Sequence, residues 1–108
     1  MVFAVRFTSG ARKDLRGIRD YITTNDSPAK ADYVARKIVE AALTLREHPL
    51  RGVNPPELLA MGNRNYRQIF FKPYRILYKV CEKTVYVAVI ADGRRNMQTL
   101  LANRLLGN

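Results

Sequence analysis

The apolar positions of this chain change their period twice. From Phe3 to Phe7 they alternate, with Phe3, Val5 and Phe7 on one side and Ala4 and Arg6 on the other, which predicts a strand. From Ala11 they recur at Leu15, Ile18 and Ile22, in steps of four, three and four, which predicts an amphipathic helix ending near Asn25. Thr8, Ser9 and Gly10 supply the break and the N-cap in front of it. Asp26, Ser27 and Pro28 then repeat the start signal, a cap followed by proline at the first helical position. The second stripe, Ala31, Val34, Ile38, Ala41, Ala42 and Leu45, carries a helix to about His48, where Pro49 stops it. Two helices joined this closely must fold back on one another, so an antiparallel hairpin with its stripes on one sheet face is expected.

A loop-like stretch from Leu50 to Asn65 contains Gly52, Pro55, Pro56 and Gly62, with Glu57 to Met61 able to make one helical turn. The period then returns to two. Tyr66 to Phe71, Tyr74 to Val80 and Thr84 to Ile90 are rich in β-branched and aromatic residues and are joined by two to four residues, the pattern of an antiparallel meander. Alternation puts Arg67, Ile69 and Phe71 on one face and Gln68, Phe70 and Lys72 on the other; Tyr74, Ile76, Tyr78 and Val80 likewise oppose Arg75, Leu77, Lys79 and Cys81. Because Arg75 and Lys79 share a face, that face is expected to be the solvated, basic one. The last strand, nearly all apolar, is expected to be central or covered on both faces. A tail with Met97, Leu100, Leu101, Arg104 and Leu105 at helical steps follows. The expectation is one α+β domain over residues 1–108: an N-terminal strand, a long helical hairpin on an antiparallel sheet, and a short C-terminal helix.

A chain of 108 residues can bury one modest core. No run of about eighteen apolar residues occurs and the first residues lack the features of a secretory signal, so no membrane partner and a cytoplasmic location are expected. Charge is uneven. The formal net charge is +10, and the half after Leu50 holds ten Lys and Arg against three Asp and Glu, which suits a polyanionic or acidic partner. Cys81 is single and His48 is single, so neither a disulfide nor a Cys/His metal set is on offer, and no cofactor or metal is expected. His48 reads as a helix-ending residue more readily than a catalytic one. Arg67, Arg75, Arg94 and Arg95 could converge into an anion site, although arginines scattered over an open sheet face are more often solvated.

The N-terminal strand, the hairpin closing on Leu45-Arg46-Glu47-His48-Pro49, the Tyr74-Arg75-Ile-Leu-Tyr-Lys-Val strand, the valine-rich strand after it and Gly93-Arg94-Arg95 together resemble the RelE/ParE toxin superfamily over nearly the whole chain. The resemblance implies a β-α-α-β-β-β fold and the toxin role in a type II toxin-antitoxin pair, with a cognate antitoxin as partner. RelE-like members cleave mRNA on the ribosome. Their basic and arginine positions map onto Arg67, Arg75 and Arg95, but their C-terminal tyrosine falls at about Leu101, which transfers no proton. ParE-like members instead poison DNA gyrase without hydrolysis. The long hairpin and the missing acid-base group place this chain with them, although Ala91 and Asp92 stand where many carry a histidine. On the ParE-like reading the chain is not an enzyme, and DNA gyrase is its target; the ribosome and mRNA are the alternative. Target contact is then expected at Arg94, Arg95, Asn96, Met97, Leu100 and Leu101, and antitoxin contact at Arg67, Arg75, Lys79, Leu101 and Leu105.

Overall fold

In the computed structural model, which describes residues 2–106, both helix starts form as their caps dictate. Strand β1 (Ala4–Phe7) leads into α1 (Ser9–Asn25), where the Thr8 hydroxyl accepts from the Ala11 N–H at 3.1 Å. Ser27 caps α2 (Pro28–Leu43) by accepting from the Lys30 N–H at 3.1 Å, with Pro28 in the first turn. The helix ends five residues earlier than the apolar stripe predicts. Beyond Leu43 the chain tightens into a 3-10 turn, Thr44–Arg46, in which the Thr44 hydroxyl donates to the Ala41 carbonyl and Leu45 is driven into the core. His48 therefore lies outside the helix, exposed, and does not cap it.

After the loop and the single turn α3 (Pro56–Leu59) come β2 (Arg67–Phe71), β3 (Tyr74–Cys81) and β4 (Thr84–Asp92), then α4 (Met97–Leu101), which runs on as a wider π-type turn over Ala102–Leu106. The sheet order is β1-β4-β3-β2. β2, β3 and β4 form the antiparallel meander, but β1 joins β4 in parallel, so the sheet is mixed where an antiparallel one was expected. The reason is the long return path: β1 enters at one edge and the chain comes back through a helical hairpin, a connection long enough to restore the strand direction.

β4 is indeed central, and it is covered on both faces by means of a bulge. The register slips beside Leu77 and Tyr78, so that Leu77 pairs with Val89 and Tyr78 with Val87, leaving Ala88 as the extra residue. Val85, Val87 and Ile90 thereby join Ile69, Ile76 and Tyr78 beneath the hairpin, with Ala31, Val34, Ile38, Ala42 and Leu45 above them. Val89 and Ala91 point the other way, into a second core with Leu58, Leu77, Met97 and Leu101. The face bearing Arg75 and Lys79 is thus not simply solvated: α3 and α4 cover it at Leu77, and it stays open at its Lys79 end and at Phe70 on the β2 edge. Among the described residues no helix is long and apolar enough to cross a membrane.

Candidate functional site

Four arginines were the candidates for a shared anion site, and the strands distribute them. Arg67 and Tyr78 are directly paired and project toward the hairpin side, where the Arg67 guanidinium donates to the carbonyls of Gly52 (2.8 Å) and Leu50 (3.3 Å). Arg75 projects from the opposite face. Its Nη1 and Nη2 form a two-pronged pair with the Glu57 carboxylate at 2.8 and 2.7 Å, and its Nε donates to Gln68 Oε1 at 2.7 Å. The two side chains are 11% and 22% exposed, so the guanidinium is spent on internal partners. That hydrogen bonding holds the Glu57 carboxyl below its ordinary range, against the opposing pull of burial. The stem of Arg75 lies on Gly93, where an added Cβ would sit 2.8 Å from Arg75 Cδ.

Arg94 and Arg95 follow β4 on the side facing α1. Asp92 accepts from the Arg94 backbone N–H at 2.9 Å and from its guanidinium at 3.0 and 2.6 Å, which keeps the Asp92 carboxyl low and raises Arg94. Arg94 is nonetheless mostly exposed, and the Arg95 side chain has no ion pair or hydrogen bond among the described residues. The two arginines stand at the mouth of a groove of about 530 Å³ between α1 and the end of β4, walled by Lys13, Gly17, Tyr21 and Tyr74. Burial pushes the Tyr74 phenol up, and Asp92 adds to the shift. Arg67, Arg75 and the Arg94–Arg95 pair thus occupy three separate places.

The tail is placed by packing. Met97 (4% exposed) and Leu101 (0%) are buried in the second core, so the expectation that they face a partner gives way to a structural role. Leu100 and Leu105 are half-buried, while Asn96 caps α4 by accepting from the Thr99 N–H at 3.1 Å. A third carboxylate-guanidinium pair, which the sequence pattern did not flag, ties the tail down. Arg104 donates to both Asp14 oxygens (2.9 and 3.1 Å) and to the Ala88 carbonyl (3.0 Å), and Asp14 also accepts from the Ile90 N–H at 2.9 Å. β1 stops at Phe7, opposite Val87, so Asp14 and Arg104 satisfy the bulged edge of β4 that no strand covers. Residues 90 positions apart carry no local signal of such a pair.

Chemically, the surroundings of Arg75 offer Gln68, which transfers no proton, and a carboxylate already committed to it. Tyr78 is fully buried with its hydroxyl accepting from the Gly52 N–H at 3.0 Å, and burial raises its pKa. Cys81 ends β3, exposed, and among the described residues no cluster of His, Cys, Asp and Glu could hold a metal.

The family model for the ParE toxin of the type II toxin-antitoxin system parDE matches residues 5–97. No curated protein matches the chain by sequence. Among solved structures the chain is similar to the chromosomal ParDE toxin-antitoxin system from P. aeruginosa, at 22% identity and TM-score 0.71, covering 84% of this chain and 96% of that one. It is also similar to the RelBE2 toxin-antitoxin complex from Mycobacterium tuberculosis (25% identity, TM-score 0.62, 85% and 92% covered). A mutant of the E. coli toxin RelE in the free state shares the fold at 15% identity and TM-score 0.64, with 93% of each chain covered.

Proposed function

This chain belongs to the ParE toxin family of type II toxin-antitoxin systems, and from that premise we propose that it stops growth by poisoning DNA gyrase until a cognate antitoxin binds it. The observation that supports a mode without hydrolysis is the Arg75–Glu57 pair. A ribonuclease built on this face would need Arg75 free for phosphate and a neighbouring group to move protons. Here the guanidinium is occupied by a carboxylate, Arg67 points away from it, and Leu101 is packed inside.

Target contact falls to Arg94, Arg95, Asn96 and Leu100, which keep exposed surface at the end of β4 and the start of α4; Met97 and Leu101 hold that surface from beneath. Antitoxin contact falls to Arg67, Lys79 and Leu105, with Arg75 and Leu101 as their support.

The test is a plasmid supercoiling and cleavage assay with purified toxin, DNA gyrase and ATP, run beside the toxin-antitoxin complex. Linear plasmid should accumulate after denaturation and disappear with antitoxin, and the double variant Arg94→Ala, Arg95→Ala should fold yet trap less cleaved DNA. Gyrase unaffected by a large toxin excess would overturn the reading and turn attention to ribosome-dependent mRNA cleavage, with Arg67, Arg75 and Arg95 as the first substitutions.

A further inference from the structure

At the end of the sheet near the β3–β4 turn, strand register aligns four side chains in a row. Arg6 of β1 pairs with Tyr86 of β4, and Tyr86 pairs with Lys79 of β3. Tyr66, just before β2, completes the row, with the Lys79 ammonium 5.8 Å from the centre of its ring. Directly paired residues project from the same face, so the row reads cation, ring, cation, ring across the four strands. Strand spacing sets neighbours about 5 Å apart.

Arg6, Lys79 and Tyr86 are exposed, and Tyr66 is half-buried. The guanidiniums of Arg19, Arg75, Arg94 and Arg104 all have carboxylate partners; among the described residues Arg6 and Lys79 have none. Among the described residues the only side chain set against either cation is the Tyr66 ring beneath Lys79, and the row sits on an open end of a face whose middle is covered by α3 and α4.

We propose that this row is a platform for single-stranded nucleic acid. Tyr86 offers the exposed flat surface on which a base stacks whatever its identity, and Arg6 and Lys79 stand beside the rings to receive phosphates. The half-buried Tyr66 ring sits beneath Lys79 and extends the row only if that ammonium swings toward a phosphate. An acidic peptide would engage the cations but leave the rings unused, and a duplex keeps its bases stacked on one another and out of reach. Charge complementarity is favourable, since Lys83 in the adjoining turn offsets Glu82 and the whole chain is at +10. The assignment does not depend on which enzyme the toxin attacks, and it places a nucleic-acid contact on the same sheet face as Arg75 but at the opposite end of β3.

Free full-length toxin is titrated against fluorescently labelled oligothymidylate and oligouridylate and a labelled duplex, read by anisotropy at several salt concentrations. Lys79 is also assigned to the antitoxin surface, so the free toxin is the form to use. The single strands should bind and weaken as salt rises, and Tyr86→Leu, which keeps an apolar side chain on the strand, should lower affinity roughly 5- to 150-fold. Lys79→Ala should weaken binding and flatten the salt dependence, while Arg36→Ala, an equal charge change on the outer face of α2, should change affinity less than about twofold. Thermal unfolding of each variant confirms that it is folded. Preference for oligothymidylate makes DNA the strand recognised, and preference for oligouridylate makes it RNA. The proposal is overturned if neither single strand binds, if the duplex binds as tightly, or if Arg36→Ala is as harmful as Lys79→Ala.

Discussion

Arg75 shows how one side chain can look catalytic in sequence and be structural in place. Its partner Glu57 lies 18 residues earlier in the single-turn helix α3, and the pair joins α3 to the sheet. Because the folded carboxyl has a depressed pKa, the folded state binds fewer protons than the unfolded one in the acid range. The stabilisation is complete above the ordinary carboxylate value, 4.5, and is lost as pH falls through the lower folded value. Asp92, held down by Arg94, acts in the same direction. Glu57→Gln should cost about 1–3 kcal/mol at neutral pH, since it leaves a mostly buried guanidinium short of charge. Urea unfolding of both proteins from pH 7 to pH 3 checks this: the difference should shrink in acid, and a difference that stayed constant would assign the loss to packing instead.

Helix α1 carries a local cost that the fold does not explain by packing. Gly17 sits in its interior, and a Cβ built there meets nothing within 4 Å. Replacing it with alanine removes the entropy penalty of glycine without a clash, so Gly17→Ala should stabilise by about 0.5–1 kcal/mol. Calorimetry should show the melting point rising by about 2–8 °C. The tail element depends on the same helix. Asp14 receives both Arg104 and the Ile90 N–H, so Asp14→Ala removes the clamp and leaves the β4 edge open. Amide exchange should then quicken at Ile90 and over Met97–Leu106 while the α2 amides stay protected; uniform acceleration would mean that the pair stabilises the whole fold rather than the tail. Leu101, fully buried beneath that segment, explains why the tail keeps its seat on the sheet.

For the molecule as a whole, the excess positive charge is a matter of association rather than of folding. Ten net charges on a small domain should draw an acidic antitoxin segment in quickly at low salt. Stopped-flow association with the cognate antitoxin should slow by about tenfold or more between low and physiological ionic strength, with dissociation much less affected. A rate indifferent to salt would remove charge as the source of recognition.

Local rules sufficed for everything that depends on near neighbours. The caps at Thr8 and Ser27, Pro28 in the first turn, the two apolar stripes and the three-strand meander could all be read from the chain, because caps and periodicity act within about one helical turn or one strand pair. The candidate arginines and the uneven charge could be read from the chain itself, and the family resemblance supplied the roles expected of those arginines. What required the folded chain was everything joining residues far apart: the parallel pairing of β1, the bulge at Ala88 that lets β4 serve two cores, the Asp14–Arg104 clamp and the occupation of Arg75 by Glu57. The early end of α2 belongs with these: Leu45 is buried as the stripe predicts, but through a 3-10 turn that the period of apolar residues does not reveal. Periodicity says which face of an element is apolar, but a sheet has two faces, and which side α3 and α4 would cover depends on how the loop and tail close over it. That closure turned the basic face around Arg75 from an open anion site into the wall of a second core.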